Sequence, residues 1–350
     1  MEAVRPVRFG LVGFGAWGQM HAQSITSCSD ATLAAIVAPS ETSRLQAARL
    51  YPEAQVFATH DAMLSAMDLD VVDIVTPSHT HRAIACDAFA AGAHVLLEKP
   101  MAITLADCHA ILEAATSAGR QLAIGHELRL SSQWGAIKSI VDRGDIGDPL
   151  YVLVELSRKP YRQGASGWRY DASRVGSWVL EEPIHFFDLA RWYLQSAGEP
   201  ATLFAVANSI NSDRPGLCDN FTATMRYKNG AYAVVSQTLA AFEHHQTVKI
   251  TGTKGALWAG WSGALDRTLE PSYFLKLLSN SELRDVAITK HSGEVFELRE
   301  EIAMCVRMAR GERLPVATGL DGLWSTALCL AAEESVSSGA VVDIADFMGR

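Results

Sequence analysis

Apolar and polar positions change rhythm once along this chain, and the change divides it. Over the first third, short apolar runs alternate with stretches whose apolar residues recur at helical spacing. The runs at residues 7–12, 33–38, 71–75, 94–97 and 121–124 predict strands. Residues 79–91 and 105–118 carry the spacing of amphipathic helices, and Thr104 with Asp107 three places on forms a capping box for the second. Strands alternating with helices in this way predict βαβ units and a parallel sheet.

After residue 128 the rhythm differs. A helical stretch at residues 132–141 runs into the turn-rich break Arg143-Gly144-Asp145-Ile146-Gly147-Asp148-Pro149. Strands then predominate, at residues 151–156, 202–208, 221–227, 231–239, 247–251 and 256–259. Lys228-Asn229-Gly230 joins two of them, and Asn-Gly there predicts a hairpin with a type I′ turn. Adjacent hairpin strands make an open antiparallel sheet with helices on one face and the other face free. Residues 323–335 read as a core helix. The expected fold is therefore α/β: a Rossmann domain over residues 1–128, then an α+β domain over residues 129–350 built on an open, mainly antiparallel sheet.

Length and composition fit this division. A chain of 350 residues exceeds what one core usually serves. A formal charge of 30 − 39 = −9 disfavours nucleic acid and anionic membranes as partners. The N-terminus has no basic stretch followed by an apolar run, and no segment nears the roughly 18–20 apolar residues of a membrane span. The six cysteines are scattered without CxxC spacing, which predicts free thiols in the cytoplasm and no zinc site. His244-His245 has no partner at ligand spacing, so no metal is expected.

The first chemistry lies after the first strand. Gly13-Phe14-Gly15-Ala16-Trp17-Gly18 opens a helix-like segment. In such a turn Gly13 permits the tight bend, Gly15 lets a pyrophosphate approach the backbone, and Gly18 allows close helix–strand packing. The helix N-terminus offers free N–H groups to the anion. About 20 residues on, an acidic residue would bind the 2′-hydroxyl of NAD. Ala38-Pro39-Ser40 stands there instead. Ser40 and Arg44 either hold a 2′-phosphate, which favours NADP, or merely cap and solvate the next helix.

Three further stretches add to this turn: Thr76-Pro77-Ser78-His79-Thr80-His81, Gly92-Ala93-His94-Val95-Leu96-Leu97-Glu98-Lys99-Pro100, and Gly176-Ser177-Trp178-Val179-Leu180-Glu181-Glu182-Pro183-Ile184-His185-Phe186-Phe187-Asp188. Together they resemble the glucose–fructose oxidoreductase / inositol dehydrogenase / rhizopine catabolism (Gfo/Idh/MocA) family over essentially the whole chain. The resemblance implies NAD(P)-linked oxidation or reduction of a sugar, cyclitol or related polyol, in homodimers or homotetramers built through the open sheet. It assigns catalytic roles to Lys99, Glu181 and His185, and implies a cis Lys99–Pro100 bond. It also implies that Thr76, Pro77, His81 and Glu98 border the cofactor, and that Arg129, Tyr161, Trp168, Arg169, Trp178 and Glu182 line the substrate pocket. The chain departs from the family pattern in having Glu181 where Asp is usual and Pro183 where Gly is usual. Some family members use NAD to oxidise a glycoside transiently and eliminate its leaving group, and a few bind the dinucleotide only to regulate a partner.

The residues support these roles on their own chemistry. A histidine near neutrality suits removal of a hydroxyl proton, and His185 follows Pro183, well placed as a first helical residue. Asp188, three residues on, shares its face and offers either to orient the ring or to fix the helix. Glu181 lies where a helix dipole favours a carboxylate in any case. Lys99 ends a strand, where α/β sheets bind ligands, and an ammonium there stabilises developing alkoxide charge.

Overall fold

The computed structural model describes residues 5–159, 165–209, 218–264 and 267–349, and the side chains of all of these except Ala165, Ser166, Trp168 and Ala172. Two compact units emerge, one of Met1–Glu127 with Leu298–Leu323, the other of Leu128–Glu297 with Trp324–Arg350.

In the first unit, β1 (Val7–Val12), β2 (Ala31–Val37), β3 (Gln55–Phe57), β4 (Val71–Ile74), β5 (His94–Glu98) and β6 (Leu122–Gly125) form one sheet. Its order is β3-β2-β1-β4-β5-β6, with every pair parallel. The helices between them are α1 (Ala16–Thr26), α2 (Glu41–Leu50), α3 (His60–Ala66), α4 (His81–Ala90) and α5 (Leu105–Ala118). Helices on both faces explain why the strands are almost continuously apolar. Strand order reverses between β1 and β4, and the carboxyl ends on either side of such a switch form the ligand crevice of an open α/β sheet. The Thr104 cap stands, its hydroxyl accepting from the Asp107 N–H at 3.1 Å. Leu298–Leu323 completes this unit. Ile302, Met304, Cys305 and Val306 join Phe9, Leu11 and Ile36 in its core, and Ile124 donates to Ala317 beside the outer strand β6.

The second unit begins with α6 (Trp134–Asp142) and β7 (Pro149–Arg158), then α7 (Ala172–Val175), α8 (Trp178–Glu181) and α9 (Pro183–Tyr193). Next come β8 (Pro200–Asn208), β9 (Asn220–Tyr227), β10 (Tyr232–Thr238), β11 (His244–Gly252), β12 (Gly255–Gly263), β13 (Ser272–Ser279) and β14 (Glu282–Asp285). The chain ends with α10 (Glu294–Ala309), α11 (Gly319–Ser338), β15 (Val342–Asp343) and α12 (Ile344–Met348). The sheet order is β14-β13-β12-β11-β7-β10-β9-β8-β15, with β7–β10 parallel and the other pairs antiparallel. Buried residues alternate with exposed ones along β7 to β13, as one covered face requires. The covered face packs Val152, Val154, Val235, Val248 and Ile250 with Phe187, Leu189 and Leu328.

The β9–β10 turn corrects the type I′ expectation. Gly230 has φ +90° while Asn229 keeps a negative φ, and Gly230 N–H donates to Tyr227 at 3.1 Å. This is a type I turn closed by a left-handed glycine. The type I′ geometry falls at Asn280-Ser281 between β13 and β14, where both φ angles are positive. All six cysteines are free, and no helix among the described residues is long and apolar enough to cross a membrane.

Candidate functional site

The glycine turn of the first unit gives each glycine a separate reason. Gly13 has φ +107°, and a Cβ there would lie 2.2 Å from the Val75 carbonyl oxygen. At Gly18 it would lie 2.1 Å from the oxygen of Gly13. At Gly15 it would meet nothing within 4 Å, so the chain itself does not require glycine there. Gly15 is also the N-cap of α1, with no capping side chain and no acidic residue in the first turn. An exposed helix start, unblocked by side chains and free of negative charge, fits a pyrophosphate. Phe14 is buried edge-on to Tyr51, and Ala16 is exposed. At the end of β2, Ser40 caps α2 by accepting from Ser43 N–H at 3.1 Å, and Arg44 Nη1 donates to the carbonyls of Ala38 and Pro39 at 3.0 and 2.7 Å.

The ends of β4 and β5 are tied together. Thr80 Oγ1 donates to Pro77 O and lies 2.7 Å from Thr76 Oγ1. The His81 ring stands between Pro100 O at 2.8 Å and Thr76 O at 2.9 Å. Burial pushes its pKa down, so it carries one proton and donates to one of the two. Lys99–Pro100 is cis. Glu98 and Trp17, both expected against the cofactor, bond to each other, with Trp17 Nε1 donating to Glu98 Oε1 at 2.8 Å. Glu98 is also 3.2 Å from His21 Nε2, and His21 Nδ1 is 2.8 Å from Asp73 Oδ2.

Burial opposes charge on His21, yet Asp73 and Glu98 outweigh it and hold the ring as imidazolium. Burial likewise opposes charge on Glu98, but His21 keeps it below the usual carboxylate range. Burial, with Glu98 close by, pushes Glu301 well up, so this acid is neutral at ordinary pH. His21, Asp73 and Glu301 are absent from the sequence reading. One signal pointed to them: Asp73 is the sole charge in the strand Val71–Ile74.

In the second unit the candidates gather around the start of α9, where Pro183 takes the first turn and Glu182 the N-cap. Three arginines hold the three carboxylates. Arg169 Nε lies 2.6 Å from Glu181, Arg158 Nη1 2.8 Å from Glu182, and Arg129 grips both oxygens of Asp188 at 2.8 and 2.7 Å. Asp188, expected beside His185, is thus half of a buried ion pair, and Arg129 also lies over the Trp192 ring. His185 sits in the first turn, 8% exposed, its N–H donating to Glu182 O. Trp178 is buried edge-on to Phe221. Tyr161 and the Trp168 side chain lie outside the described residues. Arg158 escaped the sequence reading because it lies within a strand, away from any motif. His244 is bonded to Gln246 and His245 to Ser262. Among the described residues, His60, Asp61 and Asp87 bring three potential metal-ligand atoms together on an open surface.

Comparison with known proteins shows the family and the fold. Residues 7–126 match the family model described as an oxidoreductase family with an NAD-binding Rossmann fold, and residues 134–258 match the GFO/IDH/MocA C-terminal domain. The chain is 29% identical to a 1,5-anhydro-D-fructose reductase of Ensifer adhaerens over 79% of its length and 80% of the relative's. It is 28% identical to an inositol 2-dehydrogenase of Rhizobium meliloti over 97% and 99%. Its fold is shared with levoglucosan dehydrogenase, solved with NADH and levoglucosan, at TM-score 0.84 and 21% identity over 97% of this chain and 100% of that one.

Proposed function

The chain belongs to the Gfo/Idh/MocA oxidoreductase family, and from that membership we propose that it transfers hydride between a nicotinamide dinucleotide and the CH–OH carbon of a sugar, sugar derivative or cyclitol. The glycine turn carries this reading: Gly13 and Gly18 are required by the chain's own sterics, while Gly15 is left open beside an uncapped helix start. The polyol class is supported by the anhydrofructose and inositol enzymes among the relatives.

The dinucleotide, once bound, supplies the carbon that takes or gives the hydride. The backbone N–H groups at the start of α1 hold its pyrophosphate. Arg44, pinned at the end of β2, and the exposed Ser40 hydroxyl take a 2′-phosphate, which selects NADP. Thr76, Pro77 and His81 form a wall fixed by their own hydrogen bonds. His185 accepts the hydroxyl proton. Lys99, just beyond the carboxyl end of β5, supplies an ammonium able to stabilise negative charge developing on a substrate oxygen. Glu181 and Glu182, their charge balanced by Arg169 and Arg158, accept hydrogen bonds from substrate hydroxyls. Asp188 acts through Arg129, fixing the helix that bears His185. Free thiols suit the reducing cytoplasm. A second copy of the chain covers the open face of the β7–β13 sheet in a homodimer or homotetramer.

The test is nicotinamide absorbance with NAD or NADP and a panel of monosaccharides, anhydrosugars, sugar acids, glycosides and inositols, run in both directions. Turnover of one polyol, faster with NADP, and loss of at least about a hundredfold in kcat for Lys99→Met and His185→Asn are expected. Cofactor binding without turnover of any polyol would sink the reading. Glycoside cleavage without net reduced cofactor would replace it with the elimination chemistry.

A further inference from the structure

The first unit's core holds ionisable groups beside β4 and β5, where its other side chains are apolar. Asp73 stands between Val72 and Ile74 in β4, and His21 lies on the buried side of α1 with Ala22 and Ile25. Both are 0% exposed, and Glu98 and Glu301, which act on them electrostatically, are buried too. Asp73 Oδ1 and Glu301 Oε2 have no hydrogen-bond partner among the described residues. Buried charge is a poor way to stabilise a core, because desolvation offsets the attraction and apolar residues of similar volume often do as well or better. The cluster therefore calls for a reason other than stability.

Its connections supply one. His21 Nδ1 is 2.8 Å from Asp73 Oδ2, and its Nε2 is 3.2 Å from Glu98 Oε1, which also accepts from Trp17 Nε1. Trp17 and His21 lie four residues apart on α1 and so share a face. Glu98 is the last residue of β5, and Lys99 follows it. Beside it in β6 stands Gly125, where a Cβ would lie 3.1 Å from the Glu98 carboxyl. The side chain before Lys99 is thus held by two groups of α1 and packed against bare backbone. On the other side of Lys99, the Pro100 carbonyl oxygen lies 2.8 Å from His81 Nδ1. Lys99 stands between two residues that histidines tie down.

We propose that His21 is a positioning residue for Lys99: anchored by Asp73, it holds Glu98 and so fixes the backbone from which the Lys99 side chain reaches. This rests on the hydride-transfer reading above and adds to it a residue that is itself fully buried. A group that stabilises developing charge works well only when its supports hold it to within about half an ångström.

Two amides separate the two bonds of His21. In His21→Asn the amide nitrogen takes the place of Nδ1, keeping Asp73 and losing Glu98. In His21→Gln it reaches the place of Nε2, keeping Glu98 and losing Asp73. Each variant loses one buried bond and the ring's charge, so both should have a lowered Tm. Hydrogen exchange over residues 95–102 of the cofactor-free protein should quicken at least about tenfold in His21→Asn and stay within about threefold of wild type in His21→Gln. With the preferred polyol, kcat should fall at least about tenfold in His21→Asn, with dinucleotide Kd and polyol KM within about threefold, and recover in His21→Gln. Should His21→Asn fail to fold, Glu98→Ala replaces it in the same comparison. Equal kcat in the two variants compared, or losses that follow Tm alone, would overturn the inference and leave the hydride-transfer reading intact. A wild type that binds dinucleotide and turns over no polyol would defeat that reading, and this inference with it, whatever the exchange rates.

Discussion

Single side chains set how this protein responds to pH. Glu297 is buried, and that burial pushes its carboxyl up to about 7 despite the N–H of Gly293 and the hydroxyls of Ser131 and Ser292. An acid raised from its ordinary 4.5 holds its proton in the native state after the unfolded chain has lost it. This group's contribution to stability therefore falls as pH rises from about 4.5 to 7 and is flat above that, by an amount on the order of 3 kcal/mol. Glu297→Gln keeps the acceptor for Gly293 and removes the titration. Urea unfolding at pH 5 and pH 8 should show the variant more stable than wild type at pH 8 and the difference shrinking at pH 5. Equal differences at both would refute it. Asp188 marks the limit of reading residues from sequence. Helical spacing placed it beside His185, but Arg129 lies 59 positions away in sequence, and no local pattern announces such a partner. Breaking a buried pair of this kind costs about 3–5 kcal/mol, so a kinetic defect at Asp188 needs a stability control.

Among elements, the strand-to-helix turn after β1 was legible because each glycine answers to a local steric demand. The Gly15 and Gly18 variants should separate. Gly18→Ala forces a Cβ against backbone oxygen and should lower Tm. Gly15→Ala meets no atom of the chain, so Tm should stay within a degree or two of wild type, while cofactor affinity by titration calorimetry drops at least about tenfold. Equal affinity in Gly15→Ala would remove the pyrophosphate from this turn. The strands beyond residue 128 were read correctly in kind but, apart from 231–239, too short, since polar residues such as Arg158, His244 and Gln246 extend them. The β13–β14 hairpin was missed because Asn280-Ser281 lacks the glycine that signals positive φ.

At the scale of the whole molecule, the open face of the second sheet is the feature that no element among the described residues covers. Trp258, Phe274, Tyr232 and Phe204 stand out from it between 37% and 47% exposed, with Lys249 against the Trp258 ring. Rows of large apolar groups among threonines and lysines resemble a subunit contact more than a solvated surface. Light scattering after gel filtration should find a dimer or tetramer, reduced to a smaller species by Trp258→Glu. A monomeric wild type would leave this face without the assigned partner. Sequence periodicity foretold a free face, since period-two alternation records burial on one side only, but it named no occupant.

The return of Leu298–Leu323 to the first unit interleaves the two units along the chain, and this matters while the chain is being made. The Rossmann sheet emerges from the ribosome first, yet the helix that supplies Ile302, Met304 and Val306 to its core is encoded some 170 residues after Glu127. Until then one apolar surface and the edge of β6 are bare, open to mispairing or to a chaperone's grip. A cofactor domain cut at Glu127 inherits that exposure permanently, and should be recovered mainly in inclusion bodies where the full chain is soluble.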